Sequence, residues 1–320
     1  MNDEVRGYPL LGSIQNDVGL GFVGNQAVAA TTNPLQVRLV SMTTGFASAR
    51  GGVEGRLTFA PHIVDFRRGV SFVIRQEPQV LLIGFLSRLE FVQTVVEALN
   101  DYSGIVVLDP VIGDATRGLY VSEDTANAIR RDLVPRAQII TPNAFEALLI
   151  LDRLHDQRMT EYKVLDGLLE LGPQSVVVTS WNRDVGRRML TNIFANAYNH
   201  TRINGPYHTA ILGFGAGDVF AAAVAAFTIL GAAPLSAATL ATAFATLAVK
   251  GSTSYGHGTV DPAAVHDVFK PRGVYDQQVK ALGYARRFGI ETYAIKPAEG
   301  EGDRLRTASS PLTEAQKMSF

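Results

Sequence analysis

Ile105-Val106-Val107-Leu108-Asp109-Pro110-Val111-Ile112-Gly113-Asp114 is the stretch on which the fold turns. Four apolar residues in a row, three of them β-branched, read as a strand buried on both faces. Such strands occur in parallel sheets whose two faces are covered by helices. The run then breaks at Asp-Pro and Gly-Asp, which favour turns. A buried strand ending in acids directs them to the carboxyl edge of a sheet, where α/β proteins bind ligands.

The same grammar extends outward in both directions. Upstream, Val80–Ile83 is a second apolar run, Ile63–Arg75 a helix, Arg38–Met42 a short strand, Gln26–Val37 a helix with a late Pro34, and Leu10–Gln15 a first strand. Leu89, Val92, Val95, Val96 and Leu99 recur at helical spacing between the two apolar runs. Downstream, Ser122 caps a helix reaching about Leu133, and Gln138–Ile140 is a strand closed by Thr141-Pro142-Asn143. Helices over Ala144–Leu154 and Tyr162–Leu171 follow, then a strand at Ser175–Thr179 and a hairpin over Arg188–Tyr198 and Thr201–Thr209. Strand and helix in alternation predict a three-layer α/β/α fold with a mainly parallel central sheet. The expected organisation is one domain over residues 1–295. The polar sequence after about Tyr275 leads into a flexible tail at 296–320.

Composition excludes several classes. Lysine plus arginine is 29, aspartate plus glutamate is 30, and the net charge is −1. This balance has no footprint for duplex nucleic acid or an anionic membrane. The chain has no cysteine, which removes disulfides, thiolate nucleophiles and cysteine metal sites. The six histidines lack metal-ligand spacing, and Met1–Gly7 does not open a secretory signal. A cytoplasmic protein is expected. Val219–Val249 carries no charge and is long enough to cross a bilayer, but Gly231-Ala232-Ala233-Pro234 divides it. Two buried helices of a large core are the expectation.

Four strand ends are unusually polar: Asp109–Asp114, Thr141–Glu146, Thr179-Ser180 and Gly213–Asp218. Any one of them is ordinary turn chemistry, whereas four together predict a crevice. Gly213, Gly215 and Gly217 precede the first uncharged helix, whose N-terminal amides form an anion site. Asp218 opens that helix. It is either a helix-end acid or, beside a bound phosphoryl group, a base for an attacking hydroxyl. Gly19-Leu20-Gly21-Phe22-Val23-Gly24 matches the dinucleotide fingerprint, yet no acid lies between Asp17 and Glu54 to hold a ribose. A glycine-lined wall or tight strand–helix turn fits it better. Trp181 and Arg183, Arg187 and Arg188 belong to a loop near the ligand or to ordinary packing and a solvated surface.

Taken in order, Ile14-Gln15, Gly21, Val23-Gly24-Asn25, Pro34–Val37, Gly84-Phe85, Asp109–Asp114, Thr141–Glu146, Thr179-Ser180 and Gly215–Asp218 resemble the pyridoxal kinase family of the ribokinase-like superfamily. The resemblance covers residues 10–255. It implies ATP-dependent phosphorylation of a hydroxymethyl group on a vitamin B6 pyridine, Mg²⁺, and a homodimer. Carried over by position, Asp218 is the base, and the amides of Gly215, Ala216 and Gly217 form the anion hole. Asp109, Asn143 and Glu146 surround Mg²⁺ and its waters. Asp114, Thr179 and Ser180 meet the ATP phosphates. Asn16, Thr44, Phe85 and Asp218 meet the acceptor, with Phe85 as the stacking aromatic.

The substrate side departs from the pattern. The family has serine where Asn16 stands, and a Ser-Asn-His segment before Thr-Gly-Tyr where this chain has Met42-Thr43-Thr44-Gly45-Phe46. Ala216 replaces the usual threonine, as Gly-Ala-Gly-Asp does in the wider superfamily. Two alternatives stand beside a B6 kinase. One is a kinase for another hydroxymethyl compound, such as a hydroxymethylpyrimidine. The other is a nucleotide-binding homologue without catalysis.

Overall fold

The computed structural model describes residues 9–49, 51, 53–208, 214–252, 259–265, 269 and 278–297. Its strands are β1 (Leu10–Val18), β2 (Arg38–Ala47), β3 (Thr58–Phe59), β4 (Val80–Ile83), β5 (Ile105–Leu108), β6 (Gly113–Asp114), β7 (Gly118–Leu119), β8 (Ile139–Ile140), β9 (Ser175–Asp184), β10 (Met189–Asn196), β11 (His200–Pro206) and β12 (Glu291–Ala294). All but the small β6–β7 hairpin join one sheet, in the order β12-β11-β10-β9-β8-β5-β4-β1-β2-β3. Pairing is parallel from β2 through β9 and antiparallel at both flanks.

Nine α-helices among the described residues cover the sheet: α1 (Asn25–Thr32), α2 (Ile63–Arg75), α3 (Leu89–Ala98), α4 (Glu123–Ala128), α5 (Ala144–Ile150), α6 (Glu161–Glu170), α7 (Ala216–Ile229), α8 (Pro234–Gly251) and α9 (Gln278–Arg286). The period of two in β4 decides which layer each residue joins. Val80 and Leu82 pack with α1, α7, α8 and α9, while Leu81 and Ile83 pack with α2 to α6. Each fully buried aliphatic side chain contributes about 1.5–3 kcal/mol, so the two cores clamp the sheet from both sides. The three-layer, mainly parallel architecture read from the sequence is the one observed.

The charge-free run forms α7 and α8, buried on nearly all sides and packed on each other. Gly231, in the left-handed region at φ 86, and Pro234 in the first turn of α8 make the break. Among the described residues no helix is long and apolar enough to cross a membrane.

The structure corrects four readings. The second strand does not stop at Met42: β2 runs on to Ala47 and carries Thr43–Phe46 against β1. The helix after Asn143 ends at Ile150, short of Leu154, because Asp152 takes a left-handed φ of 56. The helix after Ser122 passes into a π-helical turn at Ile129–Leu133. Residues after Tyr275 are not a featureless polar tail, since α9 packs on α8 and β12 closes the sheet against β11. Most of the 296–320 segment, from residue 298, and Gly213 lie outside the described residues.

Candidate functional site

The carboxyl ends of β1, β4, β5, β8 and β9 open on one crevice. Chain order reverses there, because β1 has β2 on one side and β4 on the other. Such a switch point is where open α/β sheets bind ligands. The N-terminus of α7 enters from the same end.

Gly215 makes that entry possible. Its φ is 85, and a Cβ there would stand 1.9 Å from the Phe22 carbonyl oxygen. The first intrahelical bond runs from the Val219 N–H to the Gly215 carbonyl. No hydrogen bond among the described residues uses the N–H groups of Gly215, Ala216 or Gly217. They are the orphan donors of a helix start, aimed at the crevice.

Asp218, one residue on, is partly exposed at the foot of this cradle. Its carboxylate accepts from its own N–H and from the Gly24 N–H, while the surrounding protein pushes it up to about 6. The second glycine motif thereby gains a role unconnected with a dinucleotide. Gly24 stands at φ 63, where a Cβ would meet the Asn16 carbonyl oxygen at 2.0 Å. Only glycine brings that N–H to Asp218.

Asp109 and Glu146 complete an acid cluster with Asp218. Asp109 is buried, and its carboxyl is held well above the usual range by burial, by Glu146 and by Asp218. Glu146 is pushed up to about 7 by burial, although backbone N–H groups at Asn143, Gly113 and Ile112 donate to it. Among the described residues none of the three acids forms an ion pair.

Asn143 and Glu146 build a capping box at the start of α5. The Asn143 side chain also donates to the Gly113 carbonyl at 2.9 Å. Their polar atoms are therefore occupied in holding β6–β7 against β8, and Asp109 is the less committed acid. Among the described residues no three His, Cys, Asp or Glu side chains form a ready metal cage.

Asp114, on β6, faces a different environment. Burial pushes its carboxyl up, but hydrogen bonds from Tyr120, Arg117 and Thr116 outweigh that and hold it at about 2. Val111 and Ser180, at φ 44 and 52, are non-glycine residues in the left-handed region, one on each side of the crevice. Conformational strain of this kind concentrates where a site dictates the backbone.

Beside the cradle lies a cavity of about 190 Å³. Thr179, Ser180, Asn192 and His208 line one wall, and Gly217, Phe220, Thr242, Thr246 and Val249 the other. Asn192 links the walls: it accepts from the Ser180 N–H at 2.8 Å and donates to the Thr242 hydroxyl at 3.1 Å. The α8 residues were missed in the sequence, although Thr242, Thr246 and Val249 recur there at helical spacing. Trp181 extends β9 and packs on the core, and Arg187 pairs with Asp184 on the surface, so of the flagged loop residues Arg183 alone lines the cavity.

On the opposite side, Asn16 ends the regular part of β1 beside a register shift between Gln15 and Asp17. The Thr44 hydroxyl donates to the Phe85 carbonyl at 2.7 Å. Phe85 is half-buried and belongs to neither hydrophobic core. Of the candidates read from the sequence, Thr179, Ser180, Ala216 and Gly217 line the cavity, Asp109 lies next to Gly217 and near Glu146 and Asp218, and Thr44 and Phe85 meet each other.

The family model for phosphomethylpyrimidine kinase matches residues 24–263. Human pyridoxal kinase is 32% identical over 186 residues, which cover 52% of this chain and 57% of that protein. The chain thus spans little more than half the length of the mammalian relatives it matches. The pyridoxine/pyridoxal/pyridoxamine kinase of Bordetella avium is 29% identical over 248 residues, covering 71% and 80%. The Staphylococcus aureus pyridoxal kinase, solved in complex with ADP, superposes with a TM-score of 0.75 at 19% identity, over 90% of this chain and 100% of that one. Bacillus subtilis pyridoxal kinase, as an ADP complex, gives 0.70 at 22%, over 81% and 99%. With the family model spanning most of the sequence and the fold agreeing, the chain belongs to the phosphomethylpyrimidine kinase family, with pyridoxal kinases among its relatives.

Proposed function

We propose that this protein transfers the γ-phosphoryl group of ATP to the hydroxymethyl group of a vitamin B6 pyridine. The observation that carries the reading is the junction at Gly217. Open helix amides meet a cavity of about 190 Å³ on one side and the carboxylates of Asp218 and Asp109 on the other. A partly apolar cavity with a few hydroxyls and an amide suits a purine nucleoside.

Asp218 takes the proton of the acceptor hydroxyl as its oxygen attacks the γ-phosphorus. The bond from that phosphorus to the β–γ bridging oxygen breaks, and ADP leaves. With its carboxyl near 6, Asp218 is ionised at neutral pH and still basic enough for the task. The Gly215, Ala216 and Gly217 amides receive the negative charge of the transferring group. Thr179 and Ser180 line the phosphate path, Phe85 stacks on the ring, and Asn16 and Thr44 edge the acceptor pocket.

The residues fit Mg²⁺. The donors are oxygens alone, and three neighbouring acids without an ion pair call for a cation. Asp109 would hold the ion, with Asn143 and Glu146 fixing the wall behind it, and the ion would neutralise the phosphate oxygens. Phe46, Leu57 and Phe59 are exposed at the sheet edge formed by β2 and β3, an apolar face suited to a second copy of the chain.

The test is ADP release by the purified protein with pyridoxal, pyridoxine, pyridoxamine and hydroxymethylpyrimidine, with the phosphorylated product weighed by mass spectrometry. A phosphorylated B6 vitamer is the expected product. Turnover of the pyrimidine alone would reassign the acceptor, and ATP binding without any turnover would leave a non-catalytic homologue.

A further inference from the structure

The crevice is a concentration of acidic side chains. Asp109, Glu146 and Asp218 already crowd one another, Asp114 stands on the adjoining hairpin, and a triphosphate adds negative charge. Arg117 is positioned to answer it. Its Nε and Nη2 grip the Asp114 Oδ2 at 2.8 and 2.6 Å, and Nη2 also reaches the Tyr120 hydroxyl at 2.5 Å. The guanidinium lies 4.6 Å from the Tyr120 ring centre and 5.0 Å from that of Phe214. Phe214 is the residue before the Gly215 cradle. One cation thus spans the β6–β7 hairpin and the start of the anion hole.

Its support is rigid. The hairpin is fixed to the acid cluster through the Ile112 and Gly113 N–H groups on Glu146 and the Gly113 carbonyl on Asn143. The Arg117 side chain nevertheless keeps 48% of its surface exposed, and its Nη1 makes no hydrogen bond among the described residues. A fork held on one edge, with donors left on the other, is preorganised for phosphate oxygens.

We propose that Arg117 is a charge-stabilising catalytic residue for phosphoryl transfer, supplied from within the chain, and that Asp114 is the positioning residue that aims it. The proposal rests on the kinase reading above. Nη1 donates to the equatorial oxygens of the transferring phosphoryl group as charge builds there, and the Phe214 ring keeps the guanidinium over the mouth of the cradle.

The experiment compares wild type, Arg117→Ala, Arg117→Lys and Asp114→Asn in steady-state ADP release, each with a thermal melt and with and without added guanidinium at millimolar concentration. For Arg117→Ala the expectation is a loss of about 10²-fold or more in kcat, with the KM values for ATP and acceptor changed by less than about fivefold. Guanidinium should restore part of that loss in Arg117→Ala and none in Arg117→Lys. Asp114→Asn should lower kcat less than Arg117→Ala does. A kcat for Arg117→Ala within about threefold of wild type overturns the assignment, as does a loss that tracks a fall in melting temperature and ignores guanidinium. Wild type that turns over no acceptor at all defeats the kinase reading itself, and this proposal with it. An active wild type with an indifferent Arg117 defeats the proposal alone.

Discussion

Asp218 shows what one position can be asked to do. The residue closes the glycine cradle in the first turn of α7, where its carboxylate accepts from backbone amides and Asp109 is its acidic neighbour. Its raised carboxyl fixes a pH dependence. The base must be ionised, so kcat/KM should fall tenfold per unit as pH drops below about 6, and a profile flat to pH 5 would assign the proton elsewhere. Asp218→Asn should reduce kcat by about 10²–10⁴-fold with ATP affinity little changed, as read by turnover and nucleotide titration. Phe85→Ala should raise the acceptor KM and leave that of ATP alone, because the ring lies outside both cores. These residues were legible because acids and glycines at the ends of buried strands have few other reasons to be there. Asn143 and Glu146 were legible as polar residues, but their task was not. Their Asn-x-x-Glu spacing already spelled a capping box, which the expected metal role hid. Arg117 went unread because Phe214, the partner that ties it to the cradle, is distant in sequence.

At the scale of elements, α7 depends on its entry and α8 on its inward face. Gly215→Ala places a methyl against the Phe22 carbonyl at a left-handed φ. It should lower the melting temperature and abolish turnover together. Thr242→Val acts more narrowly, since it leaves the Asn192 amide without its partner while Asn192 still holds the Ser180 N–H. The expected result is a raised KM for ATP, an unchanged KM for the acceptor, and about 1–2 kcal/mol of lost stability in denaturant titration. The buried strands and amphipathic helices were legible because periodicity alone specifies them, and Val80–Ile83 and Ile63–Arg75 fall on the expected residues. The full reach of β2 and the pairing of β12 were not. Edge strands are stabilised by their neighbours more than by pattern, and Glu291–Ala294 has no apolar alternation of its own.

For the whole molecule, the acid cluster links folding to pH. Unfolded, these carboxyls ionise near 4, whereas the folded protein keeps Asp218 protonated to about 6 and Glu146 to about 7. The native state therefore binds more protons across that window, and the cluster's contribution to stability declines as pH rises through it. Wild type should melt higher at pH 5 than at pH 7.5 relative to Asp109→Asn, in which the gap narrows. Asp109→Asn should itself melt higher than wild type at pH 7.5, and Mg²⁺ with nucleotide should lift wild type alone. A pair of melts that move in parallel across this range would remove the cluster from the account.

The placement of Asp218 has one more implication, for the order in which the protein is made. Asp109 and Glu146 belong to the first half of the chain, and the parallel strands β1, β2, β4, β5, β8 and β9 are all complete by Asp184. Asp218 and its cradle come with α7, and the strand that seals the sheet comes later still at Glu291–Ala294. A nascent chain leaving the ribosome thus assembles an acidic crevice well before the base and the anion hole arrive. On the kinase reading proposed above, a chain interrupted before α7 lacks the base and the anion hole and should not hydrolyse ATP.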